Sequence, residues 1–353
     1  GNPTVDVTVE TNLDDLARLD APLPGEDAAG RTDSIKEELV SRALGGNIGR
    51  IVAQTPGGSA LNAMRVAARA PHDTVRVSFI GAVGTDEGAA MIRDAMARDG
   101  VVPLLLSVPG RPTGTCVSLV VPPCGNRSLV TVRGAAGEIS PEFLDRPEVA
   151  EAVAGAAVLY VTSFVLSTPS RAMIAERLAA AAAASCGRTI FSLNLSSVGL
   201  MQKVGDIVLG MCARTQWLFG NADELVAFAQ EVGATTEGEG TMTDVADIAA
   251  MVVGFLPVGG HVIVTSGKDP TFVAEKAQDG TAAQTVAFPV PYFPSGEVID
   301  TNGCGDAFVG GFLCLATVGA PLEACVGEGH RCAAAVLRQR GCDLIGFNLA
   351  YRP

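Results

Sequence analysis

The most informative stretch of the chain is VIDTNGCGDAFVGGF, which runs from Val298 to Phe312. An apolar lead-in, a turn of small residues and a long apolar segment follow one another, which predicts a strand, a tight loop and a helix. Gly303 and Gly305 have no Cβ atoms, so the backbone there can approach a ligand closely. The N–H groups of Gly303, Cys304 and Gly305 would point outward at a helix N-terminus. The stretch therefore predicts an anion hole.

Asp306 lies in the first turn of this predicted helix, where the helix dipole favours a carboxylate. There it is placed to accept a proton from a hydroxyl beside a bound phosphoryl group, which is the work of a general base. A glycine-rich turn capped by an aspartate is also a common way to start a helix. Taken alone, the pattern leaves both roles open.

The chain lacks the other common nucleotide-binding motifs. Its Gly267-Lys268 pair does not complete a P-loop, because Val262 stands where that loop needs a glycine. The glycines between Gly81 and Gly88 have the wrong spacing for a dinucleotide fingerprint. We therefore expect neither a P-loop nor nicotinamide binding.

Length and composition predict a compact globular protein that does not bind polyanions. The 353 residues are 48% hydrophobic and only 18% charged, which argues against disorder. Lys and Arg total 25 against 38 Asp and Glu, and the net charge of -13 repels nucleic acid polymers and anionic membranes. No apolar stretch reaches the roughly 18 to 20 residues needed to cross a bilayer.

The nine cysteines are odd in number and lack CxxC spacing, which favours reduced thiols in a cytoplasmic setting. The three histidines form no zinc pattern, and no Ser-His-Asp arrangement is indicated. No basic segment followed by an apolar one opens the chain, so we expect no signal peptide. Gly1-Asn2-Pro3 is predicted to be part of a strand that begins upstream.

Apolar β-branched runs alternate with segments of helical length through most of the chain. This alternation predicts an α/β fold with a doubly wound, mostly parallel sheet and helices on both faces. The predicted strands are Val75–Ile80, Ala157–Val161, Thr189–Leu195, Gln216–Gly220 and His261–Thr265, and the predicted helices are Asp86–Arg98, Ser170–Ser185, Ala222–Gln230 and Asp244–Phe255.

Two stretches break the alternation and predict a small β-rich lid domain made of residues 5–56 and 109–133. The second reads as two extended segments joined by a turn at Pro122 to Asn126, where proline, glycine and asparagine suit a hairpin. The remaining residues, 1–4, 57–108 and 134–353, are predicted to form the large α/β domain.

The segment from Asp300 to Phe312 closely resembles the C-terminal signature of the ribokinase-like (PfkB) carbohydrate kinases, in the form carried by nucleoside-phosphorylating members. Thirteen consecutive positions take part, which makes the match highly specific. The one departure is Cys304, where the family usually has alanine. The resemblance implies the ribokinase-like fold, with a large nucleotide-binding and catalytic domain and a lid.

The resemblance extends over almost the whole chain and implies a set of substrate-binding residues. Residues 56–62 are similar to the N-terminal family signature, whose glycines and asparagine hold the ribose hydroxyls. Residues 1–6 are similar to the opening in which an aspartate binds the sugar diol, and Phe164 would stack on the nucleobase. The implied set is Asn2, Asp6, Gly57, Gly58, Ser59, Asn62 and Phe164.

The resemblance also implies the catalytic and nucleotide-binding residues. Arg127, in a segment similar to the family's lid, corresponds to the arginine that approaches the transferred phosphoryl group. It would act with Asp306 and the anion hole of Gly303, Cys304 and Gly305. The N-x-x-E pattern that governs magnesium and phosphate falls on Asn221 and Glu224, and Glu224 is the implied metal ligand. The implied ATP-binding residues are Asn194, Asn221, Glu224, Thr265, Gly267, Asn302 and His330.

Several of these positions also suit ordinary structural roles. Arg127 in a hairpin is by default a solvated charge, and Glu224 on a helix is often a surface carboxylate. His330 and Phe164 are equally compatible with the core. An aspartate such as Asp6 is common in edge turns.

The activity implied by the resemblance is phosphorylation of the 5′-hydroxyl of adenosine, with ATP and Mg²⁺, by a cytoplasmic or nuclear monomer. The long insert between Asp6 and Gly57 favours a nucleoside over a sugar. Thr4 stands where a larger apolar residue is usual near the base, which keeps inosine, guanosine, ribose and fructose open as acceptors. A non-catalytic nucleoside-binding protein is a further alternative, and the intact Asp306 argues against it.

Overall fold

The computed structural model describes residues 1–18, 20–22, 28, 31–69, 75–122, 127–234, 244–277 and 284–342. The predicted turn at 122–126 lies outside them except for its first residue. Strands and helices alternate along the described chain, as the sequence predicts. Among these residues, no helix is both long and apolar enough to cross a bilayer.

The largest sheet in the described residues has six strands. They are β7 (Val158–Thr162), β8 (Ile190–Asn194), β9 (Trp217–Asn221), β10 (His261–Ser266), β11 (Asp269–Glu275) and β12 (Gln284–Phe288), in the spatial order β12-β11-β10-β9-β8-β7. Strands β7 to β10 are parallel, and β11 and β12 add an antiparallel edge. The predicted strands in this region match within two residues.

Side chains of alternate residues reach opposite faces of this sheet, as the two-residue period of a strand requires. On β10, Val262 and Val264 pack into one apolar cluster, whereas Ile263 packs into another. The sheet is thus covered by helices on both faces. The α-helices of the described chain after residue 83 are α4 (Glu87–Asp99), α5 (Pro147–Ala154), α6 (Pro169–Ala184), α7 (Val198–Cys212), α8 (Ala222–Glu231), α9 (Val245–Val252), α10 (Cys304–Thr317) and α11 (Leu322–Leu337).

Two further parallel strands, β3 (Val77–Val83) and β4 (Val101–Ser107), form a separate pair in the described residues. A cavity of about 710 Å³, lined by residues of both β3 and β7, lies between the pair and the larger sheet. The amine of Gly1 donates a hydrogen bond to the carbonyl oxygen of Ile80 at this cavity, across 2.7 Å. The sequence predicts one doubly wound sheet, whereas no ladder joins these two parts in the described residues.

A four-stranded sheet carries the predicted lid segments. Its strands are β1 (Thr4–Glu10), β2 (Arg50–Gly57), β5 (Gly114–Val120) and β6 (Arg127–Val132), in the order β2-β1-β5-β6, with helices α1 (Leu13–Arg18) and α2 (Asp33–Leu44) beside them. Val7, Val9 and Val117 bury one face of this sheet. That the lid is a domain of its own, with the boundaries given above, stays a prediction.

A buried arginine ties the first helix of the large domain, α3 (Ser59–Arg69), to its surroundings. Arg65 and Asp99 are both fully buried, and the Nε of Arg65 lies 2.6 Å from a carboxylate oxygen of Asp99. The Arg65 Nη1 also donates to the carbonyl oxygens of Pro56 and Cys342. Arg65 therefore fixes the start of α3 against the lid sheet and the C-terminal segment.

We expect Asp99→Asn to lower the free energy of unfolding by about 3–5 kcal/mol, because the buried guanidinium of Arg65 would lose the charge of the carboxylate that it contacts. The matched control is Glu10→Gln, which breaks the exposed pair with Arg50 and should cost less than about 1 kcal/mol. Urea unfolding of both variants measures the difference. Equal, small losses would contradict the structural role of Arg65.

Candidate active site

Four parts of the chain converge on Asp306. The carboxylate lies in the first turn of α10, and the first turn of α3 supplies its hydrogen-bond partners. Asp6 from β1 and Glu224 from α8 are near enough for their charges to interact with that of Asp306. Most of the residues predicted for substrate and catalysis are thus brought together, although they are far apart in sequence.

The loop before α10 has a backbone conformation that favours glycine. Gly303 is the residue at the N-terminus of α10, with a left-handed φ of 79°. A Cβ atom on Gly303 would lie 2.9 Å from the Cβ of Cys342, so the position requires glycine. Asp300 holds the loop by accepting hydrogen bonds from the N–H groups of Asn302 (2.9 Å) and Gly341 (3.1 Å).

The predicted anion hole is open to solvent at Gly305. Gly305 is exposed, and a Cβ atom there would meet nothing within 4 Å, which leaves room for a ligand against the backbone. The N–H group of Cys304 donates to the carbonyl oxygen of Thr301 across 3.4 Å, a long hydrogen bond. Binding of an anion by these amides stays a prediction.

Both carboxylate oxygens of Asp306 accept a hydrogen bond from α3. The Ser59 hydroxyl donates to Oδ1 across 2.6 Å, and the Asn62 amide donates to Oδ2 across 3.0 Å. Burial raises the pKa of Asp306 to about 6, while these two hydrogen bonds act in the opposite direction. Ser59 and Asn62, predicted as substrate residues, therefore also hold the candidate base.

Asn62 has a second polar atom that points to a ligand. Its Oδ1 is buried and has no hydrogen-bond partner among the described residues. A buried acceptor without a partner is costly and calls for an explanation. A substrate hydroxyl would supply the missing donor, which fits the role predicted for Asn62.

Asp6 packs directly against the paired glycines. A Cβ atom on Gly57 would lie 2.0 Å from Asp6 Oδ2, and one on Gly58 would lie 2.1 Å from the carbonyl oxygen of Asn2. Thr4 donates to Asp6 Oδ1 across 2.8 Å. Burial raises the pKa of Asp6 to about 7, and the negative charge of Asp306 adds to this effect. Gly57 therefore leaves room for the Asp6 carboxylate, and Gly58 allows the close approach of the Asn2 backbone.

Asn2 has a partner that no pattern in the sequence indicates. Its Oδ1 accepts a hydrogen bond from Arg171, which is 1% exposed and lies on α6. Arg171 also donates to the Ser167 hydroxyl, which in turn donates to the carbonyl oxygen of Phe164. Phe164 is 38% exposed, so it is available to a ligand. An arginine within an alanine-rich helix carries no spacing signal, and only the fold reveals this contact.

The predicted magnesium residues form a capping box at the N-terminus of α8. Asn221 Oδ1 accepts from the N–H of Glu224 across 2.8 Å, and Glu224 Oε2 accepts from the N–H of Asn221 across 3.0 Å. Burial raises the pKa of Glu224, and so does the negative charge of Asp306. The N-x-x-E pattern therefore caps this helix, and its role with magnesium stays a prediction.

The donor set fits Mg²⁺ that arrives with a nucleotide. Among the described residues, no group of three His, Cys, Asp or Glu side chains could hold a metal ion. Mg²⁺ commonly keeps several waters and binds through one or two carboxylates and substrate phosphates. A cation beside Glu224 would also relieve its repulsion from Asp306.

A second cavity, of about 890 Å³, brings together three of the predicted ATP-binding residues. Asn221, Thr265 and Gly267 line it, at the ends of β9 and β10 and in the turn that follows. Ser266 also lines the cavity, and its buried hydroxyl has no hydrogen-bond partner among the described residues. Sequence reasoning missed Ser266, although it lies between two predicted residues. The free hydroxyl suits a polar ligand.

The other four predicted ATP-binding residues do not line this cavity; they are Asn194, Glu224, Asn302 and His330. The His330 ring is buried, with Nε2 2.8 Å from the Thr271 hydroxyl, and it packs on Phe308. The Asn194 amide lies 3.0 Å from the phenol oxygen of Tyr160. Arg127 begins β6, and its side chain lies outside the part of the chain that the structure describes. The roles predicted for His330, Asn194 and Arg127 stay predictions.

Both the sequence and the architecture match known proteins. The model for pfkB family carbohydrate kinase matches residues 33–345. Adenosine kinase 1 of Arabidopsis thaliana is 30% identical over 347 residues, which cover 97% of this chain and 94% of that protein. Adenosine kinase of Schizosaccharomyces pombe is 30% identical over 299 residues, covering 83% and 82%.

A solved structure shares the fold. The crystal structure of Anopheles gambiae adenosine kinase in complex with P1,P4-di(adenosine-5) tetraphosphate matches with a TM-score of 0.81 and 26% identity, and the match covers 97% of this chain and 95% of that one. The ribokinase-like fold predicted from the sequence is thereby confirmed.

The raised pKa of Asp6 predicts how stability depends on pH. The folded chain keeps a proton that the unfolded chain releases between the ordinary value of 3.8 and about 7. This group therefore lowers the free energy of unfolding as the pH rises through that window. We expect Asp6→Asn to make the decline shallower, and Asp94→Asn, on the exposed face of α4, to leave it unchanged. Urea unfolding across the window measures both slopes, and equal slopes would contradict the assignment.

Proposed function

The chain belongs to the pfkB family of carbohydrate kinases, and we propose that within this family it is an adenosine kinase. It transfers the γ-phosphoryl group of ATP to the 5′-hydroxyl of adenosine, giving AMP and ADP. The observation that carries this proposal is the Asp306 carboxylate, which is held by Ser59 and Asn62 at a glycine-lined helix N-terminus. The curated relatives named above carry the same activity in their names.

Asp306 takes the proton from the 5′-hydroxyl as the oxygen attacks the γ-phosphorus in line. A pKa of about 6 suits a base that works near neutral pH, since the group is ionised yet still basic. Each carboxylate oxygen has a second lone pair, so Asp306 can accept a hydrogen bond from the substrate hydroxyl and keep those from Ser59 and Asn62. The N–H groups of Gly303 and Gly305 receive the charge on the phosphoryl oxygens.

Asp6 and Asn62 bind the ribose of adenosine. The carboxylate of Asp6 lies against Gly57, where it can accept hydrogen bonds from a diol, and the unpaired Oδ1 of Asn62 adds a third acceptor. Two hydroxyl groups that donate to Asp6 would stabilise its charged form and offset the cost of its burial. The base then lies toward the exposed Phe164.

ATP occupies the 890 Å³ cavity, with its phosphates directed toward α10. Thr265, Ser266 and Gly267 provide polar contacts there. The Anopheles gambiae relative was solved with two adenosines joined by a tetraphosphate. A protein whose adenosine pocket and ATP pocket meet at an anion hole could bind such a ligand, with one adenosine in each pocket.

Glu224 and Asn221, together with the ATP phosphates, would hold Mg²⁺, which would supply charge neutralisation at the phosphates. Arg127 approaches the same phosphates from the lid sheet. We further propose that the protein works as a monomer in the cytoplasm, with the nucleus as a second compartment. Size-exclusion chromatography with light scattering and microscopy of a tagged chain test these two points.

We expect Asp306→Asn to lower kcat for AMP formation by about 10²- to 10⁴-fold, because the amide cannot accept the proton. The KM for adenosine should change little. Chromatographic detection of nucleotides measures both, with inosine, guanosine, ribose and fructose assayed as alternative acceptors. Transfer to another acceptor would overturn the substrate, whereas full activity of the Asp306→Asn variant would overturn the base.

We expect Glu224→Gln to raise the Mg²⁺ concentration for half-maximal activity by about 10-fold or more. Glutamine can keep the capping hydrogen bond to Asn221, so the variant removes the charge and leaves the helix start intact. Glu176→Gln, on the exposed face of α6, is the matched control. An unchanged Mg²⁺ dependence would exclude Glu224 as a ligand.

A further inference from the structure

One buried arginine of the described chain has no carboxylate beside it. Arg171 is 1% exposed and, unlike Arg65 with Asp99, it makes no ion pair among the described residues. Its Nε is buried and has no hydrogen-bond partner there either. Burial lowers the pKa of Arg171 to about 10, and the positive charge of Arg133 acts in the same direction. A charge buried in this way costs stability, so its presence calls for a functional explanation.

The guanidinium of Arg171 is joined to both ends of the proposed nucleoside site. Its Nη2 donates to Oδ1 of Asn2, and its Nη1 donates to the Ser167 hydroxyl across 3.1 Å. The Ser167 hydroxyl donates its one hydrogen to the carbonyl oxygen of Phe164 across 3.0 Å. It also accepts from Nη1 of Arg133 across 3.0 Å, so its donor and both of its lone pairs are used. Ser167 thus connects Arg171 to the backbone of Phe164.

Arg171 determines which polar atom of Asn2 a ligand can meet. A guanidinium can only donate, so it must face the amide oxygen of Asn2 and not the NH₂ group. That NH₂ group makes no hydrogen bond within the part of the chain that the structure describes, and Asn2 is only partly buried. Asn2 is therefore held as a hydrogen-bond donor toward a ligand.

A donor at Asn2 complements the acceptors of the site. The carbonyl oxygen of Asn2 packs against Gly58, and the carboxylate of Asp6 packs against the adjacent Gly57, so both residues lie at the same turn. The Asp6 carboxylate and Asn62 Oδ1 accept hydrogen bonds, whereas the NH₂ group of Asn2 donates one. A ribose hydroxyl suits this combination, because it can donate to a carboxylate while it accepts from an amide.

We propose that Arg171 is a positioning residue for the nucleoside. Its guanidinium presents the NH₂ group of Asn2 to a ribose hydroxyl and, through Ser167, holds the backbone of Phe164 beside the base. This inference rests on the proposed function, in which the acceptor is adenosine. Arg171 acts through Asn2 and Ser167, and not by contact with the reacting atoms. The planar fork of an arginine can hold both partners at once, which the single ammonium of a lysine does less well.

The first test is Arg171→Met, which removes the buried charge together with its donors and keeps a long side chain. The amide of Asn2 is then free to turn, so we expect the KM for adenosine to rise about 10-fold or more, with a smaller change in kcat. Arg177→Met is the matched control, because Arg177 lies on the same helix and its side chain is 41% exposed.

Substrate preference separates positioning from a general loss of structure. Wild-type protein should prefer adenosine to at least one of 2′-deoxyadenosine and 3′-deoxyadenosine, measured as the ratio of kcat/KM values. Arg171→Met should lower that ratio about 5-fold or more, since the donor to the hydroxyl is no longer held. Asn2→Ala should lower it at least as far. Adding Arg171→Met to Asn2→Ala should lower it no further, because the two residues act in series.

Asn2→Asp gives a readout that does not depend on activity. The carboxylate keeps the acceptor for Arg171 and supplies the opposite charge, but it has no hydrogen to donate to a ligand. We therefore expect the urea midpoint of unfolding to rise, while calorimetry without ATP shows adenosine binding weakened about 10-fold or more. In the Arg171→Met background the same substitution should lower the midpoint. Asn2→Asp also keeps the test available if Arg171→Met folds poorly.

The outcomes separate the two proposals. An active wild type whose preference for adenosine is unchanged by Arg171→Met, or is absent from the start, overturns the role of Arg171 alone. Equal losses on all three substrates also overturn it, and so does a further loss of preference in the double variant. Wild-type protein that neither phosphorylates nor binds adenosine overturns the proposed function, and this inference with it.

Discussion

The site depends on the buried guanidinium of Arg65. It is fully buried, and removing such a charge from water is costly unless its hydrogen bonds are satisfied. Asp99 supplies the opposite charge, and the carbonyl oxygens of Pro56 and Cys342 accept from the same side chain. Arg65 thereby fixes α3 between the lid sheet and the segment that packs on Gly303. Because Ser59 and Asn62 begin α3, the same contacts determine where the partners of Asp306 lie.

The second constraint on the site is the negative charge of its carboxylates. Asp6, Asp306 and Glu224 lie in one region, and burial raises the pKa of each carboxyl. Such an arrangement costs stability in the free protein. It fits a site that binds hydroxyl donors and a phosphate-bound cation, because both stabilise carboxylates. Acidic composition and the candidate base are thus connected at one place, because the burial that raises the pKa of Asp306 also lowers the stability of the free site.

The sequence predicted much of this arrangement because its strongest signals are local. The glycines around Asp306 and the alternation of strands and helices follow from chain conformation over a few residues, and the capping box of Asn221 and Glu224 spans only three positions. The contacts that hold the base are long-range: Ser59 and Asp306 are 247 positions apart. The side-chain contacts of Arg65, Tyr160 and Arg171 follow no spacing pattern in the sequence. The sequence of the helix that carries His330 likewise does not indicate that its ring is buried against Thr271.

The most direct test of the account is a crystal structure of the protein with adenosine and a non-hydrolysable ATP analogue. We expect a carboxylate oxygen of Asp306 to lie about 2.6–3.2 Å from the 5′-oxygen of adenosine. We also expect the γ-phosphate analogue to contact the N–H groups of residues 303–305 and the ribose diol to contact Asp6. An acceptor hydroxyl bound beside a different carboxylate, with Asp306 still paired only with Ser59 and Asn62, would contradict it.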